Sequence, residues 1–584
     1  MKFGMRKAIP SLCILLVAVL TAASAAAAQP KKFLWAELIA FDNTKADFGV
    51  EEYLSRMQMK PDAVSLLLIE ASLFERHTAG LPSDFRLPAK ACSYLARPYN
   101  VEHERQDWSA FQLRGLVAEL NRREIETYAS FFEWGYQDLT GLSLKGDEPY
   151  VDLFIRQTCA FLKDYGFTGL HAADGFAHPR KNLVQRKLPV SRRFAEAEKW
   201  GAFWKKASAA FHAAGFKTYL NTCWTRDPYE ALVRYGYDYR MVSDSDIDGW
   251  VVEASSACLE LEGWNKTEES SLDKTAAMLM RLTPTLRGKE TVLMFGVKDD
   301  CEQFHSLYHA QTQAEAEAAI AGTSLLNGRR ALCGVLACLS DGLTQGEWAQ
   351  LDRMWRHSFS GDPAGPLGVS VVWSERAFER ECRELPESGE AGSGTLLSAL
   401  LHRGAVIGGT IGVAEALKDE SIPVLVLNPA CFPPDELAAL ERRGSKLVKF
   451  GLGQDEFVDH PVAEDPATWL DPLKESRPGP AAFDAARSAV NEFAPVVPAD
   501  GFEDIVIGGF MTGDGAWHVM ARNNRRSYVN AQLRIRRPFG RVKILSAYPS
   551  VPVEPFLHAK IPPMGVVLLS VQQIVGTSLS GGVR

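Results

Sequence analysis

Acidic side chains close one apolar run after another in this sequence. Glu37 ends FLWAE, Glu70 ends VSLLLIE and Glu253 ends WVVE. Glu133, Asp138, Asp174, the pair Asp299-Asp300 and Asp341 stand in the same place after other runs. A carboxylate does nothing for the burial of such a run, and it costs free energy if it follows the run inward without a partner. Gathered around one pocket, several carboxyl groups supply what cleavage of a glycosidic bond requires: one protonated acid and one ionised partner.

Asp174 is the first candidate. The stretch GFTGLHAADGFAHP (166–179) runs from a strand into Asp174-Gly175, with His171 and His178 close by. Standing alone, Asp-Gly is a turn. As one strand end among many in a barrel, it faces a shared mouth. Asp341-Gly342 repeats the pattern. Glu253 interrupts WVVEAS, where the alternative is a structural ion pair. Asp174, Glu253 and Asp341 are therefore the expected catalytic carboxylates. Trp35, Glu37, Glu70, Glu133, Trp134, His171, Asn221, Trp224, Arg226, Asp299 and Asp300 are the expected substrate contacts. Indole faces stack on the C–H faces of sugar rings, while acids and amides bond their hydroxyls. Trp250 belongs to the same aromatic set, and core packing is the alternative for each tryptophan. Arg226, with Arg180 and Lys298, would suit an acidic sugar.

These residues need elements to hold them at one level. The runs KFLWAELIAFD (32–42), DAVSLLLIEAS (62–72), IETYASFFEWGYQD (125–138), GFTGLHAAD (166–174), FKTYLNTCW (216–224), GWVVEAS (249–255), KETVLMFGVKDD (289–300) and ALCGVLACLSDG (331–342) read as strands. Helical patterns separate them, such as WSAFQLRGLVAELNRRE (108–124) and the glycine-closed 192–215. Pro284 is expected to interrupt the helix over 273–288. Eight strand–helix units over 32–360 predict a (β/α)8 barrel. A doubly wound open sheet is the rival, but no glycine-rich phosphate turn follows the first strand.

Downstream, residues 366–458 alternate strands and helices as a flavodoxin-like α/β domain. Cys431, in NPACFPP, lacks the flanking glycines of a nucleophile elbow and reads as structural. Residues 459–500 are rich in Pro, Ala and acids and read as a linker, with a helix at AAFDAARSAVNEF. Residues 501–576 alternate in short strands separated by turns such as TGDG, as in a small β-sandwich.

That order of domains, with PVLVLNPACFPPDELAALERRGSKLVKFG in the middle one, resembles the barrel glycosidases of the family 42 β-galactosidase kind. The resemblance implies a trimerisation-like middle domain and hence association of copies. In that family the acid/base stands in an Asn-Glu pair after strand four. Ala173-Asp174 stands there in this chain, so the resemblance implies the glycosidase class rather than β-galactosidase activity. The expected function is hydrolysis of an oligo- or polysaccharide without a cofactor. The alternative is a non-catalytic carbohydrate-binding protein on a degenerate barrel.

Composition fits a soluble globular protein: 46% hydrophobic and 23% charged residues. A net charge of −8 without a long basic run argues against nucleic acid as the partner of the whole chain. Lys2, Arg6 and Lys7 precede an apolar run and then AASAAAAQP, which predicts a signal peptide over 1–28, a secreted or periplasmic product and no transmembrane segment in the mature chain. Cysteine and histidine spacing shows neither a disulfide framework nor a metal motif.

Overall fold

The computed structural model describes residues 29–57, 59–68, 108–131, 150–173, 189–222, 227–254, 270–297, 310–338, 340, 342–451, 457–459, 476–502, 504–546, 550–553 and 556–573. The expected signal peptide lies outside them.

Eight short apolar runs form strands: β1 (Lys31–Glu37), β2 (Ala63–Leu68), β3 (Glu126–Phe131), β4 (Gly169–Ala172), β5 (Lys217–Asn221), β6 (Gly249–Glu253), β7 (Glu290–Gly296) and β8 (Gly334–Cys338). They pair in parallel in the order of the chain, and β8 returns to β1, so the sheet closes into a barrel. A helix follows each strand: α1 (Val50–Met57), α2 (Ala110–Arg122), α3 (Tyr150–Tyr165), α4 (Val190–Ala213), α5 (Pro228–Tyr235), α6 (Ser271–Leu282), α7 (Ala310–Thr323) and α8 (Gln345–Ser358). Local chemistry sets several of their ends. Ser109 and Gln112 form a capping box on α2, and Thr344 and Glu347 one on α8. Asp227-Pro228 starts α5, and Gly236, at φ 64°, ends it. Pro284 sits in a 3-10 turn, Thr283–Leu286, that takes over where α6 stops.

Strand alternation divides the barrel residues into two sets. Leu34, Leu66, Ala129, Leu170, Leu220, Val252 and Phe295 face the helices and pack with Phe161, Trp204 and Phe211. Phe33, Trp35, Leu67, Tyr128, Tyr219, Val251, Met294 and Leu336 fill the interior. Each such fully buried large side chain contributes on the order of 1.5–3 kcal/mol. Trp250 belongs to the outer set. It is fully buried beside Tyr239 and donates from Nε1 to Ser243 Oγ at 3.0 Å, so this tryptophan is core and not a sugar platform.

The middle domain is a parallel sheet in the order Leu447–Phe450, Val424–Leu427, Val369–Trp373, Ile407–Gly412, with helices such as Glu375–Ser388 and Ser393–His402 between strands. A short hairpin from the barrel's own α7–β8 connection, Leu325–Leu326 with Arg329–Arg330, extends that sheet by pairing Leu326 with Thr410. Cys431 is buried, and desolvation pushes its thiol up to about 12, as expected of a structural cysteine.

The C-terminal part is two antiparallel sheets. One orders Pro363–Pro366, Ile505–Thr512, Trp517–Asn523, Val566–Gln573 and Phe539–Ile544. The other orders Val496–Pro498, Val529–Ile535, Phe556–Ile561 and Ser550–Val553. Trp517, Val519, Ile507, Leu533 and Leu557 lie in the core between them. Part of the segment expected as a linker is built into the fold. Helix Pro480–Asn491 buries Phe483, which meets the Phe450 ring at 4.8 Å, and Val496–Pro498 pairs with the sandwich.

Three domains meet at one carboxylate. Asp273, fully buried in the first turn of α6, closes a capping box with Ser270. It pairs with Arg522 at 2.7 Å, accepts from Asn524 Nδ2 at 2.9 Å and contacts His402 Nδ1 at 3.0 Å. Burial pushes its pKa up, but Arg522, His402 and Ser270 outweigh burial and hold it below the usual carboxylate value.

Candidate active site

The inward positions change character along the barrel. The lower and middle levels are aromatic and aliphatic, as the Phe33, Tyr128, Tyr219 and Leu336 cluster shows. The carboxyl ends of the strands are polar. Glu37 closes β1 at 2% exposure and Glu253 closes β6 at 4%. Ser130, His171 and Asn221 stand on β3, β4 and β5 between them, all buried. Apolar strands have no folding use for such residues at these positions, and in a barrel this is the end at which sites form.

The structure joins three of these groups, with Ser65 of β2, into one hydrogen-bonded chain. Asn221 Nδ2 donates to Glu253 Oε1 at 2.5 Å. The amide oxygen of Asn221 then faces His171 Nε2 at 2.6 Å, so Nε2 carries the proton. His171 Nδ1 is left to accept from Ser65 Oγ, also at 2.6 Å. A backbone bond steadies the end of the chain: Glu253 N–H donates to Thr222 Oγ1 at 3.1 Å. The chain crosses from β2 to β6, and its members are at most 4% exposed. Every donor in it points toward Glu253, so the chain fixes the direction of that carboxyl group.

Around this chain, Trp35 meets His171 edge to face at 5.6 Å, holding the imidazole against an indole. Ser130 is fully buried beside β4, and its hydroxyl finds no partner among the described residues, leaving a polar atom able to bond a water or a sugar hydroxyl. Tyr53, from α1, reaches Ser340 beyond β8 at 3.2 Å.

The structure thus places Trp35, Glu37, His171, Asn221 and Glu253 of the expected site residues in the barrel interior, and it links His171, Asn221 and Glu253 directly. Glu70, Glu133, Trp134, Asp174, Trp224, Arg226, Asp299, Asp300 and Asp341 lie outside the described residues. Ala173, the residue before Asp174, is buried in the interior cluster. Sequence reasoning passed over Ser65, Ser130 and Thr222. The available signal was parity: Ser65 and Ser130 share the face of Leu67 and Tyr128 on their own strands. Among the described residues, no group of three or more His, Cys, Asp or Glu is placed to hold a metal ion.

No protein-family model and no curated protein matches the chain. Solved structures do. A chitinase from Chromobacterium violaceum ATCC 12472 matches at 12% identity and a TM-score of 0.33, covering 55% of this chain and 98% of its own. An Anoxybacillus alpha-amylase matches at 8% identity and a TM-score of 0.39, covering 94% and 98%. An alpha-amylase from H. orenii matches at 10% and 0.35, covering 93% and 99%. At these values the likeness is one of barrel architecture and lends no weight to any particular activity. Nothing in these matches singles out family 42.

Proposed function

We propose that the protein is a glycoside hydrolase whose barrel mouth cleaves an oligo- or polysaccharide with a pair of carboxyl groups. The observation that carries this reading is Glu253, buried at the end of β6 and aimed by the Ser65–His171–Asn221 chain. A carboxylate aimed into a barrel mouth by such a chain is placed to stabilise or attack an electron-poor centre. In glycoside hydrolysis that centre is the anomeric carbon. Glu253 is therefore the nucleophile or base, and Asp174 or Asp341 is the acid that protonates the leaving oxygen. A carboxylate separation of about 5–5.5 Å retains anomeric configuration, and about 6.5–9.5 Å inverts it. Trp35 and the Ser130 hydroxyl bind the sugar ring. No helix among the described residues is long and apolar enough to cross a membrane. The proposal includes export through the leader over 1–28 and association through the middle domain.

The test is hydrolysis of a panel of aryl glycosides and oligosaccharides, acidic ones included, by wild type, Glu253→Gln and Asp174→Asn. Turnover by wild type that falls about 10²–10⁴-fold in Glu253→Gln, with folding intact, is the expected result. Sugar binding without turnover in any of the three proteins would instead make the barrel a binding module.

A further inference from the structure

Charge is unevenly spread along this chain. Residues 501–576 hold nine Arg or Lys against four Asp or Glu, within a chain of net charge −8. Part of that excess sits on one flat face. In the four-stranded sheet, Val529–Ile535 and Phe556–Ile561 alternate strictly: Val529, Ala531, Leu533, Leu557 and Ala559 are buried in the sandwich, and their neighbours point the other way. Outward lie Asn530, Gln532 and Arg534 on one strand and Phe556, His558 and Lys560 on the other, His558 opposite Gln532, with Tyr528 leading in at 60% exposure.

Register arranges these residues into two cation–aromatic pairs with amides between. Arg534 stands opposite Phe556, its guanidinium 5.7 Å from the ring centre. Asn530 stands opposite Lys560, whose ammonium lies 5.0 Å from the centre of the Tyr528 ring. In this register the two rings are six residues apart, roughly 20 Å, and the backbones of the two cations four apart, roughly 13 Å. Arg534 already holds one carboxylate, that of Asp500, at 3.1 Å, and Asp500 is 92% exposed, so an incoming carboxylate can replace it.

We propose that this face docks an acidic polysaccharide, a polymer of uronate rings. The choice of a sugar polymer rests on the glycosidase reading of the barrel. The face supports it independently: aromatic rings offer stacking for C–H faces, Asn530 and Gln532 bond hydroxyls, and Arg534 and Lys560 meet ring carboxylates. Nucleic acid fits less well. Its binding draws on many phosphate contacts, while this face presents two cations, and rings about 20 Å apart cannot stack successive bases. The sheet would hold the polymer while the barrel cuts it.

Affinity electrophoresis of the full chain through gels containing polygalacturonate, dextran or DNA tests the proposal. Wild type should be retarded by polygalacturonate and not by dextran, more weakly as salt rises. Tyr528→Ala with Arg534→Gln, both at the surface, should weaken that binding at least about tenfold. Glu253→Gln should bind as wild type does, so loss of catalysis and loss of docking are read separately. Absence of retardation by polygalacturonate, binding unchanged in the double variant, or tighter retention by DNA at equal salt would each overturn the proposal.

Discussion

The two ends of the barrel handle carboxylates in opposite ways. At the amino-terminal end, Glu290 bonds Lys31 at 2.6 Å and the Tyr219 hydroxyl, while Glu126 bonds Lys217 at 2.5 Å and the Tyr128 hydroxyl at 2.6 Å. Burial alone pushes both glutamates up, but the lysine and tyrosine partners outweigh it and hold both below their ordinary value. Those charges are matched by opposite charges on the floor beneath Phe33, Tyr128 and Tyr219. At the carboxyl end, the described contacts of Glu253 run through an amide, an imidazole and hydroxyls. The amide donor of Asn221 orients the Glu253 carboxyl group. The lower end ties its glutamates to lysines of other strands, while at the upper end a hydrogen-bonded chain sets the direction of one carboxyl group.

The sharpest way to break this contrast is to remove one charge from each end. Glu253→Gln should lower turnover about 10²–10⁴-fold while the denaturation midpoint barely moves, read by kinetics alongside urea unfolding. A large stability loss without a turnover defect would put Glu253 in the same class as the floor glutamates. Next in size is His171→Gln, which loosens the chain without touching the carboxylate. Turnover should fall about 10–100-fold with KM nearly unchanged, the signature of a misaimed group. Equal loss in KM would make His171 a sugar contact instead.

The floor answers to steric change. A Cβ at Gly249 would stand 2.4 Å from the Tyr219 ring and 2.5 Å from the Glu290 carbonyl oxygen. Gly249→Ala should therefore destabilise by about 1–3 kcal/mol in urea unfolding and leave KM alone. The smallest effect belongs to Glu290→Gln. Its folded pKa is depressed, so its contribution is present above the unfolded value of 4.5 and is lost as pH falls through the folded value. The variant should lose less than about 1 kcal/mol near neutrality, because Glu290 is half exposed and screened. It should also show a flatter acid limb below about pH 4.5. His518 steepens the acid limb on the other side of that window. Buried and stacked on Phe510, it is pushed down to about 3, so its contribution fades from about pH 6.5 downward in both proteins.

The barrel was legible because its strands are buried on both faces and its helices carry capping boxes and glycine stops. Strand and helix periods therefore alternate in plain view, as they do from Ala63–Leu68 to Ala110–Arg122. Glu37, Asn221 and Glu253 could be placed at strand ends for the same reason. Their connections could not. Whether His171 reaches Asn221 or Ser65 depends on the stagger between neighbouring strands, and no single strand encodes that. Which of its two readings holds for Trp250 turned on one residue of parity, which separates the core face from the interior. The junction at Asp273 was invisible for a simpler reason: its partners are distant in sequence and belong to other domains.

That junction sets a schedule. Synthesis runs from the amino end, and Asp273 is made 251 residues before Asn524 and nearly as long before Arg522. Until the last domain emerges, the head of α6 must either stay wet or bury a charge without its guanidinium, at a cost of several kcal/mol. The barrel wall is thus finished from the far end of the chain. A chain without residues 522 and 524 would leave the head of α6 with a buried carboxylate short of two of its partners, so the closure of the barrel wall there depends on a domain made much later.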